Sequence, residues 1–262
     1  MQKVLFFDID GTVVSDITRT VPASACRALR KAKENGHLLF INTGRTMCRI
    51  VPELKELPFD GFLCGCGIYL TYHDEVFFEK KLSQQNREKI MQMVMECEID
   101  AVFENSERVF HFPGKSRFED IQTLKERFVE EGIGAIYRPG EAVCPFDKFY
   151  INTDRKSDTK RFLEFAGEIM DVIDRGNGAY ECIPKGFSKA TAMDMVYEKF
   201  GIRREKSYAF GDSSNDIPMF QNAVHTVAMG VHSPVLEPYT EFVTRTVEDD
   251  GIEYALKYYG II

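Results

Sequence analysis

Three short strand-like runs, residues 3–7, 37–41 and 207–210, each break off abruptly into polar residues and glycine. The first ends in Asp8-Ile9-Asp10-Gly11-Thr12, the second in Asn42-Thr43-Gly44-Arg45, the third in Gly211-Asp212-Ser213-Ser214-Asn215-Asp216. Runs this short and continuously apolar suit strands buried on both faces, the hallmark of a parallel sheet. Between the first two lies a helical stretch, 22–35, with Ala23, Cys26, Leu29 and Ala32 at helical spacing and Gly36 as its stop. Strand, helix and strand within about forty residues make a βαβ unit, and right-handed crossovers build such units into a parallel sheet. A further helix over 47–56 leads to a strand at 61–63.

After about Leu82 the texture changes. The spacing predicts helices over 84–98, 118–131 and 159–170, alternating with strands at 101–104, 109–112, 148–152, 172–174 and 179–183. Helices alternating with hairpin-like strands read as an α+β module inserted into the α/β parallel-sheet domain. From Gly186 the first texture returns, with a helix at 189–200, the strand at 207–210, a helix at 218–222 and a strand at 226–229. The expected division is a core of residues 1–82 and 185–262 with an insertion at 83–184.

Charge limits what such a chain can bind. Its 262 residues carry 33 Lys and Arg against 41 Asp and Glu, a formal charge of −8, with no basic block. A nucleic-acid backbone or an anionic membrane is a poor partner for that surface. Any anionic substrate needs local positive charge, from a metal or from one or two placed cations. Seven cysteines, an odd number, draw no complete disulfide framework and fit a cytoplasmic chain of reduced thiols. The opening apolar stretch is too short for a signal peptide, and no run approaches the ~18 apolar residues of a membrane span.

The strand-end residues bear chemistry. Asp8 and Asp10, two apart on an extended chain, can face one crevice beyond the carboxyl end of a strand, where open α/β sheets collect ligands. One carboxylate can then attack an electrophile while the other moves a proton; the plainer reading is an acidic turn. Thr43 and the amide of Gly44 at a helix start suit one phosphate group, or simply cap the helix. Asp212, Asn215 and Asp216 add oxygen donors at the same sheet edge. Clustered carboxylates need a cation, and this donor chemistry suits Mg²⁺; Asp216 also reads as an N-cap for the helix that follows. Lys189 opens a helix, against the helix dipole, which hints at a role toward a phosphate or a nucleophile rather than a solvated surface cation.

Together, in this order, the motifs resemble the haloacid dehalogenase-like phosphohydrolases, specifically their Cof-type group (subclass IIB). The likeness covers the whole chain, including the tail motif Glu248-Asp249-Asp250-Gly251-Ile252. It implies a Rossmann-like core with a C2-type inserted cap. It further implies that Asp8 is the nucleophile forming an aspartyl-phosphate, and that Asp10 protonates the leaving oxygen and later activates water. Thr43, Gly44, Lys189 and Asn215 would hold the phosphoryl group. Mg²⁺ would be bound by Asp8, the backbone carbonyl of Asp10, and Asp212, with Asp216 in support. Four positions depart from the family pattern: Asn42 replaces a common Ala, Cys64 and Cys66 of Cys64-Gly65-Cys66 replace the Asn and Ala of Asn-Gly-Ala, and Val231 replaces a frequent Asn.

The resulting expectation is a Mg²⁺-dependent phosphatase of small phosphorylated metabolites, sugar phosphates favoured. Its alternatives are a phosphotransferase or mutase working through the same aspartyl-phosphate, and a non-catalytic binding protein on the same fold. Cys64 and Cys66 read as small buried residues, Met91, Met93 and Met95 as packing of the inserted module, and Phe103, Phe110 and Phe112 as its core rather than a base-stacking surface.

Overall fold

The computed structural model describes residues 2–138 and 144–262. Its strands run, in chain order, β1 Val4–Phe7, β2 Leu38–Asn42, β3 Gly61–Cys64, β4 Tyr69–Tyr72, β5 Glu75–Glu79, β6 Asp100–Glu104, β7 Val109–His111, β8 Gly134–Ile136, β9 Lys148–Asn152, β10 Met170–Gly176, β11 Ala179–Pro184, β12 Ser207–Gly211, β13 His225–Ala228 and β14 Phe242–Val243. The chain is mixed α/β and divides into two compact units. The first comprises Met1–Arg45, Ile50–Phe78 and Ser188–Ile262; the second comprises Thr46–Arg49 and Glu79–Phe187.

The first unit is built on an eight-stranded sheet in the order β14-β13-β12-β1-β2-β3-β4-β5. From β14 to β3 every neighbouring pair is parallel, and β4 returns antiparallel to β3. All four residues of β1 are buried, as its unbroken apolar sequence requires. Alternation sends Val4 and Phe6 to one face, where they join Phe40, Ala209, Met193 and Val196 in a core. Phe7 stacks on Phe210 across the β1–β12 pair, at 4.5 Å between ring centres. Burying side chains of this size contributes about 1.5–3 kcal/mol each. The helices Ala23–Glu34 and Gly251–Tyr258 pack on each other.

This strand order places the site. The chain leaves β1 toward β2 and β3 on one side and comes back as β12 and β13 on the other. The reversal between β1 and β12 is a topological switch point, and ligands bind outside the carboxyl ends of such strands. Asp8 and Asp212 follow those two strands directly.

The second unit has a six-stranded sheet, β10-β11-β9-β6-β7-β8, antiparallel except for β7 and β8. The helices Gln84–Glu96 and Thr159–Ile169 cover one face, packing Ile90, Met91, Val94, Phe162 and Ala166 on Phe103, Phe149 and Ile151. The helix Glu119–Glu130 supplies Ile121 and Phe128 to Val102 and Val109, which alternate to the opposite face. Phe110 and Phe112 join the first of these cores, as expected. Met91 and Met93 pack there too, whereas Met95 is exposed, because it sits on the outer side of its helix.

Several elements differ from the sequence expectation. The helix predicted over 47–56 is two pieces, a 3₁₀ turn Met47–Arg49 and a short α-helix Pro52–Lys55. Pro52 pushes the preceding Val51 into extended backbone, which ends the first piece and lets the second begin at the proline. The strands β4, β5, β8 and β14 and the helix Gly251–Tyr258 lie where no element was expected.

Candidate active site

The β1 strand delivers Asp8 to the sheet edge, its amide donating to the Phe210 carbonyl of β12 (3.0 Å). The next residues turn back tightly, with the amides of Thr12, Val13 and Val14 all donating to the Ile9 carbonyl. Gly11 allows this turn: its φ is +72°, and a Cβ there would lie 2.7 Å from the Asp212 carboxylate. Thr12, fully buried, donates its hydroxyl to Asp212 Oδ1 (3.2 Å).

Lys189 is the centre of the arrangement. It opens the helix Lys189–Phe200, whose N-cap is Ser188, yet it is only 1% exposed. Its ammonium donates to Asp8 Oδ1 and to Asp216 Oδ1, each at 2.5 Å. Charge on the two carboxylates thus answers the unfavourable dipole position that the sequence flagged. Asp216 is fully buried, and its second oxygen accepts the amides of Asp212 and Ser213 (both 3.0 Å). It does not cap the following helix with its side chain, as the N-cap reading expected. The carboxylate turns back to Lys189 because there it meets a charge as well as two amides.

Asp8, Asp212 and Asp216 each bring a carboxylate oxygen within 4.8 Å of the others. Against these three anions stands one ammonium, so two negative charges remain uncompensated. Burial raises the Asp8 carboxyl to about 7, with the Asp216 and Asp10 charges adding to it and Lys189 opposing. Asp212 is raised to about 8 by burial and then by Asp8 and Asp216. Burial works against the Lys189 charge, but Asp216 and Asp8 outweigh it and keep the ammonium protonated. An all-oxygen cluster with a net negative charge, in which Lys189 engages Asp8 through Oδ1 and leaves Oδ2 without a hydrogen-bond partner among the described residues, fits a hard divalent cation such as Mg²⁺.

The other expected residues lie on neighbouring strand ends. Thr43 follows β2, is buried, and accepts the Arg45 amide on its hydroxyl (3.1 Å). The Thr43–Arg45 segment is pinned to the Cys64–Gly67 turn by Gly65 and Cys66 amides, which donate to the Arg45 and Thr43 carbonyls (2.7 and 3.0 Å). Cys64 and Cys66 are both buried, as expected, and Cys66 adopts a left-handed φ of +58°. Asn42 ties β2 to the lysine helix through its amide on the Lys189 carbonyl (2.9 Å). Asn215 accepts the Ser213 hydroxyl on its side-chain oxygen (2.7 Å).

Asp10 is not in the carboxylate cluster. Its side chain is held by Arg45, with Nε on Oδ2 at 2.9 Å and Nη2 on Oδ1 at 2.5 Å, a bidentate clamp. Sequence reading gave no role to Arg45 or Thr12. The demand of an acidic chain for local positive charge was the signal that could have found Arg45, standing one residue past the expected phosphate contact Gly44.

The family profile described as haloacid dehalogenase-like hydrolase matches residues 5–256. The chain is 28% identical to the YkrA protein of Bacillus subtilis (strain 168), over 99% of this chain and 98% of that one. Among solved structures, the phosphatase BT1666 from Bacteroides thetaiotaomicron is 28% identical with a TM-score of 0.86, covering 100% of this chain and 96% of that one. The HAD subclass IIB sugar phosphatase BT4131 is 27% identical with a TM-score of 0.84, covering 99% and 100%. With an acid pair, a Thr-Gly segment and an acidic turn at adjoining strand ends of one sheet and a buried lysine opening a helix beside them, the chain belongs to the haloacid dehalogenase-like hydrolases and is a phosphatase of their Cof-type group.

Proposed function

We propose that this chain is a Mg²⁺-dependent phosphatase of small phosphorylated metabolites, sugar phosphates first among them, working in the cytoplasm through an aspartyl-phosphate on Asp8. The observation that carries the reading is the buried Asp8 carboxylate. One oxygen is fixed by Lys189 and the other has no hydrogen-bond partner among the described residues, beside Asp212 and at the switch point of the sheet. Fixing one oxygen orients the second for attack on phosphorus. The sugar preference is supported by the likeness to BT4131, and the compartment by seven cysteines that are all thiols.

In this reading Asp8, the Asp10 carbonyl and Asp212 hold the cation, with Asp216 fixing the loop behind them. When bound, Mg²⁺ supplies positive charge for the substrate's phosphoryl oxygens and for the crowded carboxylates. Lys189 adds a fixed cation, and Thr43 and Asn215 side chains with the Gly44 amide hold the phosphoryl oxygens. Asp10 gives a proton to the leaving oxygen and later takes one from the attacking water; for that it exchanges its Arg45 contacts for the substrate. Residues 83–184 serve as the inserted cap, whose side chains select the substrate.

The test is a panel of phosphorylated metabolites ranked by kcat/KM, with Asp10→Asn alongside. An aryl phosphate leaves without much help, so Asp10→Asn should still be phosphorylated by it on Asp8 and then stall, giving a burst of one leaving group per site. A sugar phosphate should lose about 10²–10⁴-fold. No turnover of any phosphate ester by the wild-type enzyme would overturn the reading. Transfer to added sugars in place of phosphate release would assign the same site to a phosphotransferase.

A further inference from the structure

The tail motif Glu248-Asp249-Asp250-Gly251 lies more than two hundred residues from Asp10 in sequence, yet it ends on the loop that carries it. Ser15 is 1% exposed, and its hydroxyl is saturated. The oxygen accepts the amides of Ile17 (3.0 Å) and Thr18 (2.9 Å), so its proton has one direction left, and it goes to Glu248 Oε1. Ser15 is joined in turn to Asp10. Its neighbour Val14 forms a β-bridge with Asp10 and accepts the Gly11 amide (3.0 Å). The far side is equally fixed. Gly251, whose amide donates to the Thr246 carbonyl (3.0 Å), sits so close to the Arg245 carbonyl that a Cβ would lie 2.4 Å from it. Arg245 in turn accepts the Gly230 amide, and the Ser233 amide donates to the Asp212 carbonyl (2.9 and 2.7 Å). One side chain thus ties the Asp10 loop to the segments packed behind Asp212.

We infer that Glu248 is a positioning residue for Asp10, acting through the Ser15 hydroxyl. This rests on the acid–base role given to Asp10 above. A carboxylate is a strong acceptor for a serine hydroxyl, and the bond is charge-assisted. Without it the 15–20 turn loses the anchor that fixes its hydroxyl rotor, and Asp10 loses the fixed distance that proton transfer needs. Gln at 248 keeps an acceptor oxygen, so the effect follows the hydrogen bond and not the charge alone.

The experiment compares wild type, Glu248→Ala, Glu248→Gln, Ser15→Ala and Asp10→Asn on a sugar phosphate and an aryl phosphate. Amide hydrogen exchange at Ile17 and Thr18 is measured in the same proteins. Glu248→Ala should lower kcat on the sugar phosphate about tenfold, with a much smaller loss on the aryl phosphate and KM nearly unchanged on both. Its Ile17 and Thr18 amides should exchange faster. Glu248→Gln should restore both properties, and the Glu248→Ala/Ser15→Ala double variant should be no worse than Ser15→Ala. Equal losses on both substrates, a change in KM alone, or failure of Gln to rescue would overturn the inference. If Asp10→Asn itself shows no gap between the substrates, the acid–base reading of Asp10 fails. Unchanged exchange at Ile17 and Thr18 in Glu248→Ala overturns the Glu248 inference independently of that result.

Discussion

Each unit of this molecule buries a cluster of charges, and the two clusters are opposite in kind. In the first unit one ammonium, Lys189, is shared by Asp8 and Asp216 beside a third carboxylate, Asp212. In the second, one carboxylate, Glu181 of β11, is shared by two cations, Lys148 of β9 and Arg175 of β10. Asp8 and Glu181 are buried alike, so burial does not distinguish a site from a brace. The sign of the imbalance does. Burial alone would raise the Glu181 carboxyl, but Lys148 and Arg175 outweigh it and hold it down at about 2. Asp8 and Asp212 are raised to about 7 and about 8, since burial and the neighbouring carboxylates outweigh the one ammonium of Lys189. Around Glu181 the neighbouring cations keep the carboxylate charged; the Asp8 cluster asks for a cation from outside.

The sharpest way to break this contrast is Asp8→Asn. Turnover should fall by about 10³-fold or more, because the nucleophile is gone. The amide still accepts from Lys189, and one crowded charge is removed, so the melting temperature of the metal-free protein should be unchanged or higher. Turnover near the wild-type rate, with deamidation excluded by mass spectrometry, would remove Asp8 from the chemistry. Chelation comes next. Excess chelator should bring phosphate release to background, and Mg²⁺ should restore it while Ca²⁺, with longer bonds and more ligands, serves poorly. Full activity in chelator would mean the cluster meets its need for charge in another way.

At the second cluster, Glu181→Gln removes the carboxylate shared by the buried Lys148 and the half-buried Arg175. A loss of about 3 kcal/mol, roughly 10 °C in the melting of that unit, is expected. A neutral result in calorimetry would show that the triad contributes nothing to the fold. The acid response follows from the same pair. Glu181 has a folded pKa below its unfolded value, so the unfolded chain binds more protons in between. Its contribution is fully present above about pH 4.5 and is lost as pH falls toward about 2.

The metal-free site should respond to pH with the opposite sign. Asp8 and Asp212 have folded values above the unfolded 3.8, so the metal-free folded protein binds more protons than the unfolded chain across that window. Its stability should therefore fall as pH rises from about 4 to about 8, and Asp212→Asn should flatten the slope. Melting curves in chelator at pH 5 and pH 8 measure this. A metal-free protein that gains stability over that window would contradict the charge imbalance.

Much of the fold and of the site was legible in the residues, for reasons that are local. A strand buried on both faces must be apolar throughout, so β1 and β2 announce themselves, and the turn that ends each one must carry polar groups. Asp8, Thr43 and Asp212 stand out in the sequence by their polar groups at strand ends, and Lys189 by opening a helix against its dipole. Elements with weaker local constraint were missed. The strand β5, Glu75–Glu79, is half exposed and begins and ends in glutamate. The helix Gly251–Tyr258 opens on a glycine, a weak helix former, after Asp250, whose left-handed backbone makes no side-chain cap.

What the sequence by itself determined is the inventory: parallel strands, an inserted α+β module, and a set of acids, hydroxyls and one lysine at the turns. Tertiary structure alone decided the pairing. Asp216 looks like a helix cap until the fold brings Lys189 to it from 27 residues away. Arg45 looks like a solvated cation until β2, lying beside β1, sets it against Asp10. Local sequence limits which backbone a segment can adopt, whereas a charge finds its partner through space. In a parallel sheet that partner sits on a neighbouring strand end, a whole crossover away in the chain.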